Sequence, residues 1–443
     1  MSYYGIVAQI EETMPIAGCD RIHQAVVLGG CYIVGKFMKK GDIGILFPCD
    51  GRLSPEMLKA NDLVGVYVGG THVSGGYFKS SGKLSAQKFK GVKSDGFFAE
   101  LKVLDFVPSI SGKPNPEFKV GDKIDKINDV LICEKYFTEA TLKAQRNQKQ
   151  GTPKKKAVEY IGFKEHFDTD QLKHNLHMLT AGSLLTFTYK LHGTSGRSTN
   201  CLCAYSLPWW KKLINKVYPF WIEQEYKEVI GTRHTILGNK QDDHYYKADF
   251  RQKMHDKYFK GKIPEGYTFY YEIVGYTGGS RPIMQTQDNK KLKEKGIEKL
   301  FGSKMEYSYG CGVGECDVYV YRITRCRGDY SIEDLSWDLV KSICRDIGVK
   351  HVPEVCIKSV DYPERREFAS CVFNGDINAL MNEISSKLDK PSVVDKRHLE
   401  EGICVRLDKG SLTKIYKEKG FYFKCLEGIA KEDETYVDTE EAS

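Results

Sequence analysis

The chain has 443 residues, of which 41% are hydrophobic and 28% are charged, and its formal net charge is +7. This length predicts two domains, or three, instead of one small core. No run approaches the roughly 18 apolar residues of a membrane span, and the N-terminus has neither the basic start nor the apolar block of a signal peptide. We therefore expect an intracellular, cytoplasmic protein with no membrane partner. The modest positive charge does not by itself indicate nucleic-acid binding.

Short apolar runs separated by glycines fill the chain from residue 3 to about residue 108. Examples are YYGIVAQI, QAVVLGGCYIVGKF and LVGVYVGGTHV. Runs of this length with turn signals between them predict the β-strands of a small barrel or sandwich. We expect an OB-like β-barrel within residues 1–142.

Lysines interleave with Phe89 and Phe97 in this predicted barrel. Cations that alternate with aromatic rings are typical of surfaces that follow a nucleic-acid backbone. The alternative is an ordinary solvated barrel face, and the sequence alone does not decide between the two. The candidate nucleic-acid-binding residues are Lys83, Lys88, Lys90 and Lys93.

The composition changes twice along the rest of the chain. Basic residues crowd into 143–160, together with Gly151 and Pro153, and this pattern predicts an exposed basic linker between two domains. The last residues, 431–443, are mostly acidic and predict a disordered tail. A second domain is therefore expected over 161–430.

Residues 161–430 alternate between strand and helix patterns, which predicts an α+β domain with mainly antiparallel sheets. SLLTFTYK is a predicted strand with TNCLCAY as its hairpin partner. LPWWKKLINKVYPFWIEQEYKEV is a predicted helical insertion in which Trp209 and Trp210 serve packing instead of base stacking. Helices are predicted in SIEDLSWDLVKSICRDIG, which ends at its glycine, and in GDINALMNEISSKL. The further predicted strands are YTFYYEIVGY, DVYVYRIT, GICVRLD and GFYFKCLE.

The 14 cysteines are scattered singly along the chain. No C-x-x-C pattern occurs, and the closest pairs, Cys201 with Cys203 and Cys311 with Cys316, lack histidines at metal-ligand spacing. We expect buried, reduced thiols and a reducing compartment.

Lys190 ends an apolar strand pattern and is followed by the glycine loop LHGTSGR. A P-loop is excluded, because its lysine follows the glycines whereas Lys190 precedes them. A lysine in this position is suited to covalent catalysis, but only about one free lysine amine in a thousand is unprotonated at neutral pH. Neighbouring cations such as Arg197 and Lys424, or a metal ion, would have to favour the neutral amine. The loop glycines would let backbone N–H groups approach a phosphate.

The run Lys190-Leu191-His192-Gly193 resembles the first motif, K-x-[DH]-G, of the covalent nucleotidyltransferases, which include ligases and mRNA capping enzymes. In that superfamily the lysine attacks the α-phosphate of ATP or GTP and forms a lysyl-nucleotide phosphoramidate. The further motifs of the superfamily follow here in the same order. They place candidate residues at Arg233 in GTRHTIL, Glu272 in YYEIVGY, Tyr321 in DVYVYRIT, Glu401 in EEGICVRL and Lys424 in FYFKCLE.

The resemblance also implies roles for the charged residues. Arg197, Arg233 and Lys424 would hold the phosphates and the substrate end. Glu272 and Glu401 would bind Mg²⁺ (or Mn²⁺) through water, or would contact the ribose. For the arginines the alternative is an ordinary charge at a strand edge.

Two positions stay open within the resemblance. Tyr321 would stack on the adenine, but Tyr319 shares its strand face by the period of two. Glu400 adjoins Glu401, and the glycine that follows Glu401 fixes the register in favour of Glu401.

The order of the motifs along the chain indicates which family of the superfamily this chain resembles. DNA ligases and capping enzymes have an OB domain after the fifth motif, whereas here fewer than 20 residues follow Lys424 and a candidate barrel precedes the lysine motif. This order, with K-L-H-G-T-S-G-R around the lysine, is similar to the fifth family of RNA ligases over about residues 3–428. His192 stands where many RNA ligases have Asp, and Tyr422 occupies the first position of the fifth motif's K-x-K.

The resemblance implies an ATP-dependent RNA ligase, acting as a monomer in RNA repair, that seals 3′-hydroxyl and 5′-phosphate ends such as those of a nicked duplex. Lysyl-AMP would form first, AMP would then pass to the 5′-phosphate, and the 3′-hydroxyl would finally displace it. The alternatives are a DNA ligase, a capping-type nucleotidyltransferase, or a catalytically inactive nucleic-acid-binding protein.

Overall fold

The computed structural model describes residues 3–69, 71–149, 158–167, 169–218, 221–237, 250–358, 367–410, 412–433 and 435–436. We call residues 3–149 the N-terminal region and residues 158–436 the C-terminal region. No helix within these ranges combines the length and the apolar character that crossing a bilayer requires. All 14 cysteines are described as free thiols, but the predicted burial holds for only six of them: seven are half-buried and Cys356 is exposed.

Short strands dominate the N-terminal region, as its glycine-punctuated runs predict. In chain order they are β1 (Gly5–Gln9), β2 (Glu12–Pro15), β3 (Ile22–Val27), β4 (Gly30–Gly35), β5 (Ile43–Pro48), β6 (Gly51–Leu53), β7 (Gly65–Val68), β8 (Thr71–Gly75), β9 (Gln87–Phe89), β10 (Val92–Ser94), β11 (Gly96–Glu100), β12 (Lys123–Ile124), β13 (Lys126–Ile127), β14 (Val130–Leu131) and β15 (Cys133–Lys135). The helices are α1 (Pro55–Ala60), α2 (Val107–Ser111) and α3 (Glu139–Lys149), with a 3-10 turn at Leu101–Leu104.

The expected OB-like barrel is not found, because no sheet in the described N-terminal region closes on itself. One antiparallel sheet has the order β11–β5–β1–β12, the meander β2–β3–β4 forms a second sheet, and the other strands pair two by two. A barrel needs an unbroken hydrogen-bond ladder around its circumference. Here β11 and β12 are the two edge strands of the main sheet and do not pair with each other. Val7, Phe47 and Met57 are fully buried in the main core of this region.

The predicted basic linker at 143–160 has regular structure at both ends. α3 extends into it, and β16 (Val158–Ile161) pairs with a long strand of the C-terminal region. Residues 150–157, between these elements, lie outside the described residues.

The predicted tail at 431–443 begins with contacts to the N-terminal region. Lys431 is buried, and its Nζ lies 2.6 Å from Oδ1 of Asp50. Thr138 donates a hydrogen bond to the carbonyl oxygen of Tyr436 at 2.6 Å. The described part of this segment is therefore ordered, while residues 437–443 lie outside the described residues.

Strands and helices alternate through the C-terminal region, as predicted. The strands that follow β16 are β17 (Asp170–Gln171), β18 (Leu184–Lys190), β19 (Thr194–Tyr205), β20 (Gln224–Gly231), β21 (Ile236–Leu237), β22 (Tyr267–Gly275), β23 (Gln287–Asp288), β24 (Lys304–Met305), β25 (Cys316–Cys326), β26 (Ile332–Asp334), β27 (Lys350–His351), β28 (Ile357–Lys358), β29 (Glu367–Phe368), β30 (Ser370–Val372), β31 (Gly402–Lys409) and β32 (Leu412–Lys419). The helices are α4 (Trp209–Asn215), α5 (Phe250–Tyr258), α6 (Lys295–Phe301), α7 (Trp337–Ile347), α8 (Ile377–Lys387) and α9 (Phe421–Ala430), with 3-10 turns at Lys173–Met178 and Asn289–Leu292.

Two mainly antiparallel sheets organise this region. The larger sheet has the order β21–β20–β19–β22–β25–β26 with β16 and β27 at its margins, and the smaller has the order β17–β32–β31–β18–β30. The predicted hairpin between β18 and β19 is wrong, because the two strands belong to different sheets. The loop that follows Lys190 therefore crosses from one sheet to the other, and the lysine lies at their junction.

The two predicted amphipathic helices are confirmed as α7 and α8. α7 ends at Gly348, whose φ of 73° is a left-handed conformation that favours glycine. α8 begins after Asp376, whose side chain accepts a hydrogen bond from the backbone N–H of Ala379.

Two other predictions for this region are wrong. GFYFKCLE forms helix α9 instead of a strand. Its buried residues have helical periodicity: Phe421 and Cys425 are four positions apart, and Phe423 and Leu426 are three positions apart. The predicted aromatic insertion is helical only over α4. Trp209 is 76% exposed instead of packed, whereas Trp210 is 45% exposed and packs edge-on against Trp221.

Candidate active site

Lys190 ends β18 opposite Gly402, the first residue of β31. Its Nζ lies 2.9 Å from Oε1 of Glu401, the residue just before that strand, and Glu401 is completely buried. Burial raises the pKa of the Glu401 carboxyl, but Lys190, Lys419 and His192 outweigh this effect and lower it to about 2. The carboxylate is therefore ionised at neutral pH and fixes the position of the lysine amine.

A cavity of about 720 Å³, open to solvent, lies beside this lysine between the two sheets. We call it the Lys190 cavity. Both sheets contribute side chains because the loop after Lys190 connects them. Its polar and aromatic lining includes Ser195, Arg233, Glu272, Tyr321, Arg406 and Lys417.

Gly193 allows the loop after Lys190 to pack directly on β22. A Cβ at this position would lie 2.3 Å from the carbonyl oxygen of Ile273, so a larger residue would push the loop away. Ser195 follows at the start of β19, and its Oγ donates to Oε2 of Glu272 at 3.4 Å. The close approach thus brings Glu272 into the same cavity as Lys190.

An aromatic wall closes one side of the Lys190 cavity. Tyr321 lies at a bulge in β25, where no residue of β22 is opposite it, and its ring centroid is 4.9 Å from that of His166. Burial, followed by Arg322 and Arg233, holds the pKa of His166 well below its usual value, so His166 is neutral. Tyr319, the alternative, is buried in the core with the Lys350 ammonium over its ring. The structure thus places Tyr321, and not Tyr319, in the cavity.

The two candidate arginines differ in position. Arg233 lines the Lys190 cavity. Arg197 is 2% exposed, its Nε donates to the carbonyl oxygen of Thr232 at 2.6 Å, and its guanidinium lies 4.5 Å from the ring centroid of Phe163. Arg197 therefore supports the turn that carries Arg233 and is not part of the cavity lining.

His192 contacts Glu401 but does not line the Lys190 cavity. Its ring packs edge-on against Tyr307 and Phe423, with centroids 4.7 and 4.9 Å away. Its Nδ1 lies 3.6 Å from Oε2 of Glu401, and its backbone N–H donates to the Tyr309 hydroxyl at 2.6 Å. The preceding residue, Leu191, lines the cavity.

Glu400 has surroundings different from those of Glu401. Its Oε2 accepts a hydrogen bond from the backbone N–H of Val393 at 3.3 Å. Burial raises the pKa of the Glu400 carboxyl to about 7. Glu401, and not Glu400, is therefore the carboxylate next to Lys190.

Lys424 does not reach the Lys190 cavity. It lies on α9, where its Nζ is 2.7 Å from Oε1 of Glu418 and 3.5 Å from Oδ1 of Asp95. These residues line a second cavity, of about 650 Å³, between the N-terminal and C-terminal regions, which we call the interface cavity.

Lys417 and Lys419, and not the predicted Lys424, are the lysines next to Lys190 and Glu401. Both lie on β32, the strand next to β31. Lys417 lines the Lys190 cavity, and the Nζ of Lys419 is 3.4 Å from Oε1 of Glu401. The signal in the sequence was YKEKG, a K-x-K just before a glycine. Sequence reasoning missed it because FYFK was taken for the strand.

The lysines proposed as a nucleic-acid-binding face of the N-terminal region contact the rest of the protein. Lys83 donates to the carbonyl oxygen of Gly428 at 2.8 Å, and Lys90 donates to that of Gly18 at 2.7 Å. Lys88 pairs with Glu294, and Lys93 pairs with Asp389 at 2.6 Å. Three of the four therefore bridge the two regions.

The two candidate metal ligands supply hard oxygen donors, which suit Mg²⁺ and Mn²⁺. Glu272 lines the cavity and Glu401 contacts the lysine. Within the described ranges, no three His, Cys, Asp or Glu side chains gather into a complete metal site. Any divalent ion here would therefore take most of its ligands from water and a bound phosphate, as Mg²⁺ commonly does.

Comparison with known proteins yields structural matches. No family model matches the sequence, and no curated protein matches it. Three solved structures of Naegleria gruberi RNA ligase resemble the fold at 16% identity. They are a mutant with ATP and Mn (TM-score 0.52, covering 95% of this chain and 98% of that one), a form with PPi (0.51, 95% and 97%) and a mutant with AMP and Mn (0.52, 95% and 97%). The likeness shows that this chain has the fold of these structures over nearly its whole length.

Proposed function

We propose that the protein is an ATP-dependent RNA ligase that joins 3′-hydroxyl and 5′-phosphate ends through a lysyl-AMP intermediate on Lys190. The observation that carries this proposal is the 2.9 Å contact between the Lys190 amine and the buried Glu401 at the edge of a solvent-open cavity. The cavity offers cations for a triphosphate and an aromatic ring for a base. The shared fold with RNA ligase structures that hold ATP, AMP or PPi supports the same activity.

The first step forms a bond between Nζ of Lys190 and the α-phosphorus of ATP, and breaks the bond from that phosphorus to pyrophosphate. The contact with Glu401 favours the protonated amine, so the lysine must first lose a proton to solvent, because only the free amine is a nucleophile. Glu401 holds Nζ in place, so that the amine meets the α-phosphate in a fixed geometry.

The remaining steps return the lysine to its starting form. An oxygen of the RNA 5′-phosphate attacks the α-phosphorus, which breaks the bond to Nζ, and the amine regains its proton. The 3′-hydroxyl then attacks the activated 5′-phosphate, loses its proton, and releases AMP. Both are phosphoryl transfers that depend mainly on positioning and charge stabilisation.

The cavity residues have complementary roles in this proposal. Lys417 and Arg233 bind phosphate oxygens, since they bring positive charge to a partly enclosed cavity. Tyr321 stacks on the adenine, with the neutral His166 behind its ring. Glu272 contacts the ribose or a metal-bound water. Lys424 has no phosphate-binding role here.

Mg²⁺ or Mn²⁺ is the proposed cofactor, and Glu272 and Glu401 are the residues that would hold it through water. When bound, the ion would neutralise charge on the triphosphate and on the departing pyrophosphate. Water-mediated contact is consistent with a site that offers two carboxylates instead of a complete set of ligands.

The test is mass spectrometry of the purified protein after incubation with ATP and Mg²⁺. We expect AMP attached at Lys190, no adduct in Lys190→Ala, and a normal adduct in Lys212→Ala, which removes an exposed lysine on α4. Absence of the adduct from the wild-type protein, or its presence at another residue, would overturn the proposal.

The nucleic acid is tested separately with nicked duplexes. Sealing of nicks with RNA 3′ ends identifies an RNA ligase, whereas sealing of all-DNA nicks alone identifies a DNA ligase. Labelling by GTP instead of ATP would indicate a capping-type enzyme, and an adduct without sealing of any nick would contradict ligase activity.

A further inference from the structure

A groove outside both cavities lies mainly on the N-terminal region. It encloses about 1800 Å³ and runs along β3, β4, β9 and β11. Of the lysines proposed from sequence, only Lys83 lines it. We call it the aromatic groove, because its lining is rich in Phe and Tyr.

Three aromatic side chains in this groove are exposed to solvent. Phe37, Tyr77 and Phe89 are 60%, 70% and 43% exposed. Isolated exposed aromatics are common on protein surfaces, but several in one groove indicate a binding surface. Flat rings open to solvent are the platforms on which unpaired nucleobases stack.

The ring of Phe37 and the backbone of Tyr77 are held in place before any ligand binds. The Phe37 ring lies across Gly35, where a Cβ would be 2.4 Å from the ring, and the Lys102 ammonium is 5.1 Å from its centroid. The carbonyl oxygen of Tyr77 accepts a hydrogen bond from the Tyr67 hydroxyl at 2.7 Å. Such fixed side chains and backbone reduce the entropy lost on binding.

The charged lining suits a polyanion. Arg21 and Lys79 line the groove and are exposed, and Glu432 is the one carboxylate of the lining. Lys83 and Lys431 also line it, but Lys83 donates to the carbonyl oxygen of Gly428 and the buried Lys431 pairs with Asp50. Lys79 and Glu432 form only a loose pair, 3.7 Å apart and both well exposed. Basic side chains next to stacking rings match the alternation of phosphate and base along a nucleic-acid strand.

Shared lining residues connect the groove to the Lys190 cavity. Lys83 and Lys431 line both the aromatic groove and the interface cavity. Lys417 lines both the interface cavity and the Lys190 cavity. The groove therefore adjoins the interface cavity, which in turn adjoins the Lys190 cavity.

We propose that the aromatic groove binds an unpaired stretch of the RNA substrate next to the ends that are joined. The identity of the polymer rests on the proposed ligase function. The preference for unpaired RNA follows from the rings, since the bases of a duplex are stacked on one another and cannot stack on Phe37, Tyr77 or Phe89. An apolar peptide would satisfy the rings but would offer no anionic contact to the exposed Arg21 of the lining.

The decisive variant is Phe37→Ala/Tyr77→Ala/Phe89→Ala, assayed by fluorescence anisotropy with single-stranded and fully duplex RNA. We expect about a 100-fold loss in affinity for single-stranded RNA and little change for duplex RNA. Trp209→Ala removes an equally exposed aromatic outside the groove and is expected to leave both affinities unchanged. Arg21→Ala should lower the slope of log affinity against log salt by about 0.7.

Formation of the Lys190–AMP adduct separates this inference from the proposed function, because that step needs no RNA. We expect the triple variant to form the adduct at the wild-type rate. Unchanged binding of single-stranded RNA, or equal losses for single-stranded and duplex RNA, would overturn the inference even if the adduct forms. If the triple variant does not fold, Tyr77→Ala decides in its place, with an expected loss of about fivefold for single-stranded RNA.

Discussion

The Lys190 cavity and the interface cavity both contain lysines and carboxylates, but in different arrangements. Four cationic side chains line the Lys190 cavity with one carboxylate, Glu272. The interface cavity has six lysines and four carboxylates, and many of them are paired. Lys173 and Lys424 both contact Glu418, at 3.5 and 2.7 Å, and Lys431 contacts Asp50.

This difference shows that a buried lysine is not by itself evidence of phosphate binding. In the interface cavity the charges neutralise one another across the two regions, since Asp50 and Asp95 come from the N-terminal region and Glu418 from the other. Such pairs hold elements in register but are disrupted when one partner is lost. At the Lys190 cavity, Lys190 is paired with Glu401 and Arg406 with Asp408. Arg233 and Lys417 add two further cations to a lining whose one carboxylate is Glu272, so an anionic ligand in this cavity would meet net positive charge.

The largest expected effect is on stability, in Lys424→Met. This change leaves the buried Glu418 and Asp95 with one cation fewer, so we expect the free energy of unfolding to fall by about 4 kcal/mol. Urea denaturation measures it, and the folded variant should still form the Lys190–AMP adduct. If the variant has wild-type stability but cannot form the adduct, Lys424 binds nucleotide, and the interface cavity is not held together by its charge pairs alone.

The next effect is on catalysis, in Lys417→Ala. Removing a preorganised cation from the Lys190 cavity should slow adduct formation about 100-fold, while the melting temperature changes much less than in Lys424→Met. Lys414→Ala is the matched control, because Lys414 lies on the same strand and is exposed. Equal rates for the two variants would contradict a role for Lys417 in binding phosphate.

A third effect is the pH dependence of stability at the contact between the regions. His174 packs edge-on against Tyr3 and Tyr4. Burial, with a further contribution from Lys123, lowers the pKa of His174 to about 4. Between pH 6.5 and 4 the unfolded chain binds a proton that the folded protein does not, so stability is complete above this window and falls as the pH decreases.

From pH 7 to pH 5 this one group should cost about 2 kcal/mol of stability. His174→Phe keeps a ring between the two tyrosines and removes the titration, so its stability should fall less steeply over the same range. Denaturation curves at the two pH values measure the difference. An equal loss of stability between pH 7 and pH 5 in the wild type and the variant would show that His174 does not titrate in this window.

Much of the candidate site follows from the sequence. Lys190, Arg233, Glu272 and Tyr321 converge on one cavity, and Glu401 contacts the lysine, although these residues come from separate strands and loops. The order of the motifs was sufficient to identify these residues, because each motif lies at or next to a strand of the two facing sheets.

The sequence was misleading where local patterns are ambiguous. FYFK has strand-like alternation, but its apolar residues also fit a helix, so Lys424 was preferred to the K-x-K of Lys417 and Lys419. Nothing local shows that β18 and β19 join different sheets. The partners of Lys83, Lys88 and Lys93 lie 345, 206 and 296 residues away, beyond any local pattern.

The smallest expected effect concerns these bridging lysines and is tested with Lys88→Ala. Its pair with Glu294 is partly exposed, so its loss should change stability by no more than about 1 kcal/mol. RNA affinity should stay within twofold of wild type, since Lys88 does not line the aromatic groove, whereas Arg21→Ala should weaken it measurably. A larger loss of RNA affinity in Lys88→Ala than in Arg21→Ala would show that the RNA path follows the lysines at the boundary between the regions instead of the exposed rings.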